Sequence, residues 1–231
     1  MLYIIPTPIG NLEDITLRAL RILKEVDLIA AEDTRHSRIL LNHYEIKTPV
    51  ESFHSYSDER TVTRFISRLK EGQSIALISD AGMPGISDPG FRLITAALDE
   101  DVPLTVLPGA TAAVTALVAS GFPMDKFLYI GFLPLKRKRK SIIADLAHEP
   151  RTVILYEAPH RLLKTLGELR AAAGNECRIA VCRELTKKFE EIFRGTLQEA
   201  YEHFSKKRPR GEFTLVLAGR SHDEHDAEEA S

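Results

Sequence analysis

Residues 74–90 read SIALISDAGMPGISDPG. The first five form a short apolar run with the signature of a buried strand. The next twelve place three glycines, two prolines and two aspartates. Turning a corner needs one or two such residues. A strand that runs into this much bare, stiffened backbone points to the carboxyl edge of an open α/β sheet, where ligands bind. The glycines allow close approach of a ligand, and the prolines hold the loop rigid.

Working outward, further apolar runs alternate with amphipathic segments. Candidate strands are 2–5, 27–31, 74–78, 103–107, 127–130, 152–156, 177–182, 191–195 and 213–219. Between them, 16–24 (TLRALRILK) gathers Leu17, Leu20, Ile22 and Leu23 largely on one helical face, and 160–173 (HRLLKTLGELRAAA) does likewise. The alternation defines an α/β protein. The first half reads as a parallel, doubly wound unit. The second half, with strands 191–195 and 213–219 around a helix near 197–205, reads as a mixed sheet. The expected division is a domain of 1–120, a second of 121–220 and an acidic, disordered tail at 221–231. Gly131, Pro134 and the five consecutive basic residues of FLPLKRKRK (132–140) suggest a hinge.

Composition narrows the classes of function. Hydrophobic residues make up 44% of the 231, enough for a sizeable core. No apolar run approaches the ~20 residues of a membrane span. The N-terminus MLYIIPTPIG lacks a basic n-region and a cleavage pattern, so a cytoplasmic location is expected. Cys177 and Cys182 lack CxxC spacing and read as buried thiols rather than metal or redox ligands. The net charge is −2, but five of the 33 acids crowd into the tail, which leaves 31 basic against 28 acidic residues in the body. A near-neutral body argues against a coat for naked nucleic acid and leaves room for local basic patches.

The remaining special loops test which ligand fits. The first strand–helix junction, IIPTPIGNLEDIT, carries Pro6, Pro8 and a single Gly10 where a dinucleotide fold would carry GxGxxG. It is a poor phosphate cradle and a good rigid wall. GxxxxGK[ST], HExxH and GxSxG are all missing, and nothing points to a metal. AEDTRHSR (31–38) gathers Glu32, Asp33, Arg35, His36 and Arg38 after one strand. PGATAAVTALVASG (108–121) follows another with Gly109 and small residues. Four glycine-, proline- or charge-rich junctions on one sheet edge are hard to explain by packing and indicate a ligand site.

PTPIGNLEDIT, AEDTRHSRILL, SDAGMPGISDPG, LPGATAAVTAL, GFLP, YEAPHR and CRELTKKFEEIFRG occur in this order. Together, over residues 2–220, the chain resembles the tetrapyrrole-methylase superfamily of S-adenosylmethionine enzymes. Within it the motifs are similar to the ribosomal-RNA branch, which methylates the ribose 2′-hydroxyl of a cytidine in the decoding region of 16S rRNA in the small subunit. The resemblance implies two α/β domains with the cofactor in the cleft between them, a homodimer, and no metal. It implies that Pro8 walls the cofactor and that Asp80, Ala81 and Gly82 meet its amino-acid and ribose part, with Pro84 and Gly85 beside them. Thr111 and Ala112 would touch it from the 108–121 junction, and Tyr156, Glu157 and Leu185 from the second domain. Longer members carry a further C-terminal domain after the strand that matches FTLVLAG, where this sequence has about a dozen polar residues.

Methyl transfer to a ribose hydroxyl requires in-line alignment and a group that takes the proton. Asp33 and Glu157 are the candidate catalytic carboxylates, with Glu32 beside the first. For Asp33, catalysis, hydrogen bonding to substrate or cofactor, and helix capping all remain open, and His160 reads equally as a first-turn residue or a proton acceptor. Arg35, Arg161 and Arg183 are expected to grip RNA phosphates or to pair with the acids. Lys136, Arg137 and Lys138 of the basic run suit a polyanion, and KKRPR (206–210) is a second such stretch. Two other readings compete: a methyltransferase acting on a small tetrapyrrole, and a non-catalytic RNA-binding assembly factor.

Overall fold

The computed structural model describes residues 1–54 and 58–220. The acidic tail read at 221–231 lies outside the described residues. Two compact units divide between Thr111 and Ala112.

The first unit contains β1 (Leu2–Ile4), α1 (Leu17–Glu25), β2 (Leu28–Ala31), α2 (Thr34–His43), β3 (Val50–Ser52), α3 (Glu59–Lys70), β4 (Ile75–Ile78), α4 (Phe91–Asp99) and β5 (Leu104–Val106). Its sheet runs β3-β2-β4-β1-β5 and every pair is parallel. Alternation along the strands builds two cores. Ile29, Ala31, Ala76 and Ile78 face α1 and α2, where Ile22, Leu23, Leu40 and Leu41 are buried. Leu28, Ala30, Ile75 and Leu77 face α3 and α4, where Phe65, Leu69, Leu93 and Ala97 are buried. A parallel sheet covered on both faces needs continuous apolar strands, which is why IALI and LIAA carry no polar residue.

The second unit contains α5 (Ala112–Ser120), β6 (Phe127–Phe132), α6 (Arg139–Leu146), β7 (Thr152–Glu157), α7 (Leu162–Ala173), β8 (Arg178–Arg183), β9 (Glu191–Thr196), α8 (Leu197–Ser205) and β10 (Phe213–Leu217). Its sheet order is β6-β7-β10-β8-β9. Only β6 and β7 are parallel; β10 lies antiparallel between β7 and β8, and β9 closes the edge antiparallel to β8. One large core joins this sheet to α6, α7 and α8. α8 starts on a capping box: the Thr196 hydroxyl accepts from the Glu199 N–H, and the Glu199 carboxylate accepts from the Thr196 N–H.

Two readings of organisation need correction. The units part at Thr111/Ala112 rather than at 120/121, because α5 packs on the second sheet through Ala113, Ala116 and Leu117. The basic run is not a hinge. Leu133 and Arg139 are buried inside the second unit, and Arg139 donates to Glu168 and Thr165. β3 escaped the sequence reading because VES is a three-residue edge strand with no apolar pattern. The Cys182 thiol is buried and pushed up to about 11 by that burial, which makes it unreactive. No helix among the described residues is long and apolar enough to cross a membrane.

Candidate active site

The central strands of the first sheet, β4 and β1, are neighbours whose outgoing helices lie on opposite faces. Their chains therefore leave the carboxyl edge toward opposite faces, at the kind of position where open α/β sheets bind ligands. Here the special loops of the sequence meet. Thr7 and Gly82 form an isolated antiparallel bridge, each N–H donating to the other's carbonyl at 3.0 Å. The Thr7 hydroxyl donates to the Ser79 carbonyl, and the Ser79 hydroxyl donates to the Gly82 carbonyl. Gly82 has a φ of +82°, and a Cβ there would touch Ile9 and the Ala110 carbonyl. The loop after β5 comes equally close: a Cβ on Gly109 would lie 2.7 Å from the Pro6 ring.

The 79–90 loop divides into two parts. Asp80, Ala81 and Gly82 face the β1 loop and the end of β2, with Ala81 exposed. The second part folds back on itself, so that a Cβ on Gly90 would sit 2.8 Å from the Gly85 nitrogen. Asp88 binds this fold-back, its Oδ1 accepting from the Gly85 and Gly90 N–H groups. Asp88 therefore closes the loop, while Gly90 occupies the position that caps α4. Pro84 is buried beneath this turn and Pro8 beneath the first loop.

Four carboxylates gather at this edge. The Asp33 N–H donates to Asp80 Oδ1 at 3.0 Å, and the Asp80 N–H donates to Glu32 Oε2 at 3.4 Å. Burial, with Asp80, Asp88 and Asp33 nearby, raises the pKa of Glu32. Burial likewise raises Asp88 against the N–H groups that it accepts from. Asp33 behaves in the opposite way. Its Oδ1 caps α2 at the Arg35 N–H, and the Arg35 guanidinium grips both carboxylate oxygens. These bonds to Arg35 hold Asp33 well below the usual carboxylate range. Of the three roles open to Asp33, the structure fills capping.

In the second unit, Glu157 ends β7 and is buried. It accepts from the Thr165 hydroxyl and the Ala158 N–H, and pairs with Arg161 at 3.2 Å. Arg161 also donates to the Leu133 carbonyl. Both side chains are spent on this network, so the readings of Glu157 as a catalytic group and of Arg161 as a phosphate grip do not fit the geometry. Tyr156 points its hydroxyl at the start of α5 and accepts from the Ala113 N–H at 3.1 Å, beside Tyr129 and Phe132. Leu185 is buried. Thr111 and Ala112 fall on either side of the division between the units. Lys136, Arg137 and Lys138 are exposed, whereas Arg139 in the same run is 4% exposed and structural. Arg35 is exposed, and Arg183 pairs with Glu191 at 3.1 Å. Among the described residues no three His, Cys, Asp or Glu side chains form a metal cluster.

Residues 1–201 match the family of Tetrapyrrole (Corrin/Porphyrin) Methylases, and the chain belongs to that family. Within the family, its likeness is to proteins named Ribosomal RNA small subunit methyltransferase I. The one from Synechocystis sp. is 50% identical over 220 residues, 95% of this chain and 79% of that protein. The one from Thermotoga maritima is 46% identical over 219 residues, 95% of this chain and 98% of that protein. A solved uroporphyrin-III C-methyltransferase from Thermus thermophilus, complexed with S-adenyl homocysteine, superposes with a TM-score of 0.63 at 20% identity, covering 94% of this chain and 96% of that one. That likeness shows the shared α/β fold.

Proposed function

We propose that the protein is an S-adenosylmethionine-dependent methyltransferase that modifies the ribose 2′-hydroxyl of a cytidine in small-subunit rRNA. The observation that carries this reading is the 46–50% identity, across 95% of the chain, to small-subunit rRNA methyltransferases. The first unit's edge fits the cofactor. It offers rigid, close-approach backbone at Gly82 and Gly109 and a set of carboxylates, and its proline-rich first loop is no phosphate nest. Acids and carbonyls suit a ligand with an ammonium and a sulfonium.

S-adenosylmethionine supplies an electrophilic methyl group, and the protein has to position it, exclude water and remove a proton. The Thr7–Gly82 bridge fixes the two loops as one surface, so that Asp80, Ala81 and Gly82 can hold the ligand with little reorganisation. Pro8, Pro84 and Gly85 shape that surface. Thr111, Ala112, Tyr156 and Leu185 are the further cofactor contacts that we infer. Glu32 is the group suited to accept the ribose proton. It is half-buried, its pKa is raised by that burial, and no cation pairs with it among the described residues. Asp33 orients Asp80 through its N–H. Arg35 and Lys136, Arg137 and Lys138 are exposed cations available to RNA phosphates. The same reading places the enzyme in the cytoplasm, as a homodimer that works without a metal. Light scattering of the purified protein tests the dimer.

The decisive test is transfer of labelled methyl to purified small subunits, free 16S rRNA and a tetrapyrrole, followed by mapping of the modified nucleotide. Label on a small-subunit cytidine ribose is expected. Label on the tetrapyrrole alone would overturn the reading.

A further inference from the structure

The second unit holds a cavity of about 640 Å³ that plays no part in the chemistry described above. It lies between the end of β8, the last turn of α8 and the 206–212 loop that leads into β10. Arg183, Lys206, Lys207, Arg208 and Arg210 line it. Phe204 and Phe213 are buried at its base, edge to face with centroids 5.7 Å apart.

The loop is held in place. Arg183 Nε donates to the Arg210 carbonyl at 2.8 Å. Pro209 stiffens the stretch between the cations. The one acid in the lining, Glu191, is already taken: its Oε2 pairs with Arg183 and its Oε1 lies 2.6 Å from His203 Nε2. Lys206, Lys207, Arg208 and Arg210 are exposed, and among the described residues none of them pairs with a carboxylate.

Four adjacent, uncompensated cations around one concavity repel each other unless an anion of matching charge density enters. The volume lies within the ~300–1,000 Å³ of pockets that bury a drug-sized group, so it admits a nucleotide as well as a lone phosphate oxygen. The free arginines, Arg208 and Arg210, have the planar fork that suits phosphate.

We propose that this pocket is a second RNA-binding site, which grips the phosphate backbone of the rRNA substrate and so contributes to substrate affinity without touching the methyl transfer. The proposal rests on small-subunit rRNA being the substrate.

Two variants test it, Lys207→Gln/Arg208→Gln and Arg210→Gln, each measured for KM and kcat on small subunits at several salt concentrations and for S-adenosylmethionine affinity. The double variant should raise KM about tenfold and flatten the slope of log(kcat/KM) against log[salt] by about one unit per charge removed. Its kcat and cofactor affinity should match those of the unaltered protein. Lys207→Arg, which keeps the charge, should retain the unaltered KM. Unchanged KM and slope in both Gln variants, on an active unaltered enzyme, would overturn the pocket proposal and leave the functional reading intact. If the unaltered protein methylates no rRNA, the functional reading fails instead. The pocket is then decided by direct titration with a fluorescent RNA oligonucleotide, an acidic peptide of equal charge and a mononucleotide. Variant-sensitive binding of the oligonucleotide supports it, whereas preference for the peptide or the mononucleotide overturns it.

Discussion

Glu32 and Asp33 follow one another at the end of β2, and the helix that begins at Thr34 claims only the second. Asp33 turns toward the first N–H groups of α2 and the Arg35 guanidinium, while Glu32 turns toward the Asp80 N–H and loses solvent. Their pKa shifts run in opposite directions for that reason. A raised carboxyl pKa means that the folded state favours the protonated form. Its contribution to stability is present in acid and is lost as pH rises through the carboxylate range and above. Glu32→Gln is therefore expected to raise the melting temperature at neutral pH, with the gain vanishing near pH ~4 where Glu32 is protonated anyway. The same variant should lose ~10²–10⁴-fold in kcat if Glu32 takes the ribose proton. A fully active Glu32→Gln enzyme would place that proton elsewhere. Asp33 makes the contrary contribution, present above the ordinary carboxylate range and lost as pH falls through it. Both residues read as neighbours of a site in the sequence, which does not separate them because the capping geometry depends on where α2 starts. Gly82 was more legible. Its φ of +82° and its contacts with Ile9 and Ala110 predict that Gly82→Val abolishes S-adenosylmethionine binding in a calorimetric titration.

At the scale of elements, apolar runs and turn chemistry reveal the nine strands that carry an apolar run, and they miss β3, whose VES carries a single valine. The parallel first sheet was readable because both its faces are covered, which leaves IALI and LIAA uninterrupted. The basic run 136–140 misled because charge alone does not tell inside from outside. Lys136, Arg137 and Lys138 stay in solvent, but Arg139 is drawn in by Glu168 and Thr165. The same Thr165 donates to Glu157, which pairs with Arg161, so β7, α6 and α7 are joined through one buried polar network. Removing a member leaves its partner charged and desolvated. Glu157→Ala should thus cost about 3–5 kcal/mol in unfolding free energy, read from denaturant titration. A loss below about 1 kcal/mol would show that the network is relaxed or hydrated.

At the scale of the whole molecule, charge and chemistry are divided between the two units. The first collects acids at a sheet edge, and the second collects unpaired cations at 206–210. The near-zero net charge of the chain conceals both, which is why composition excluded a general nucleic-acid coat without locating any RNA contact. The acids repel one another while no cationic ligand is present, so a ligand with an ammonium and a sulfonium should stabilise the fold. At a concentration of 100 times its Kd, S-adenosylmethionine should add about 2.7 kcal/mol. For a chain of this length that corresponds to a rise of roughly 5–10 °C in melting temperature by differential scanning fluorimetry. No shift at saturating cofactor would contradict the proposed binding edge.

The bridge between Thr7 and Gly82 also bears on the order of events in synthesis. Its two halves are 75 positions apart in the chain, and the strands that present them become neighbours only when β4 slots between β2 and β1. A ribosome that has released the chain only as far as α3 has delivered one wall of the cradle and none of the other. Such long-range closure comes late and carries a loop-entropy cost. Cofactor affinity is therefore a gauge of completed assembly: a chain captured before Gly82 emerges should ignore S-adenosylmethionine, and one with the first sheet closed should hold it.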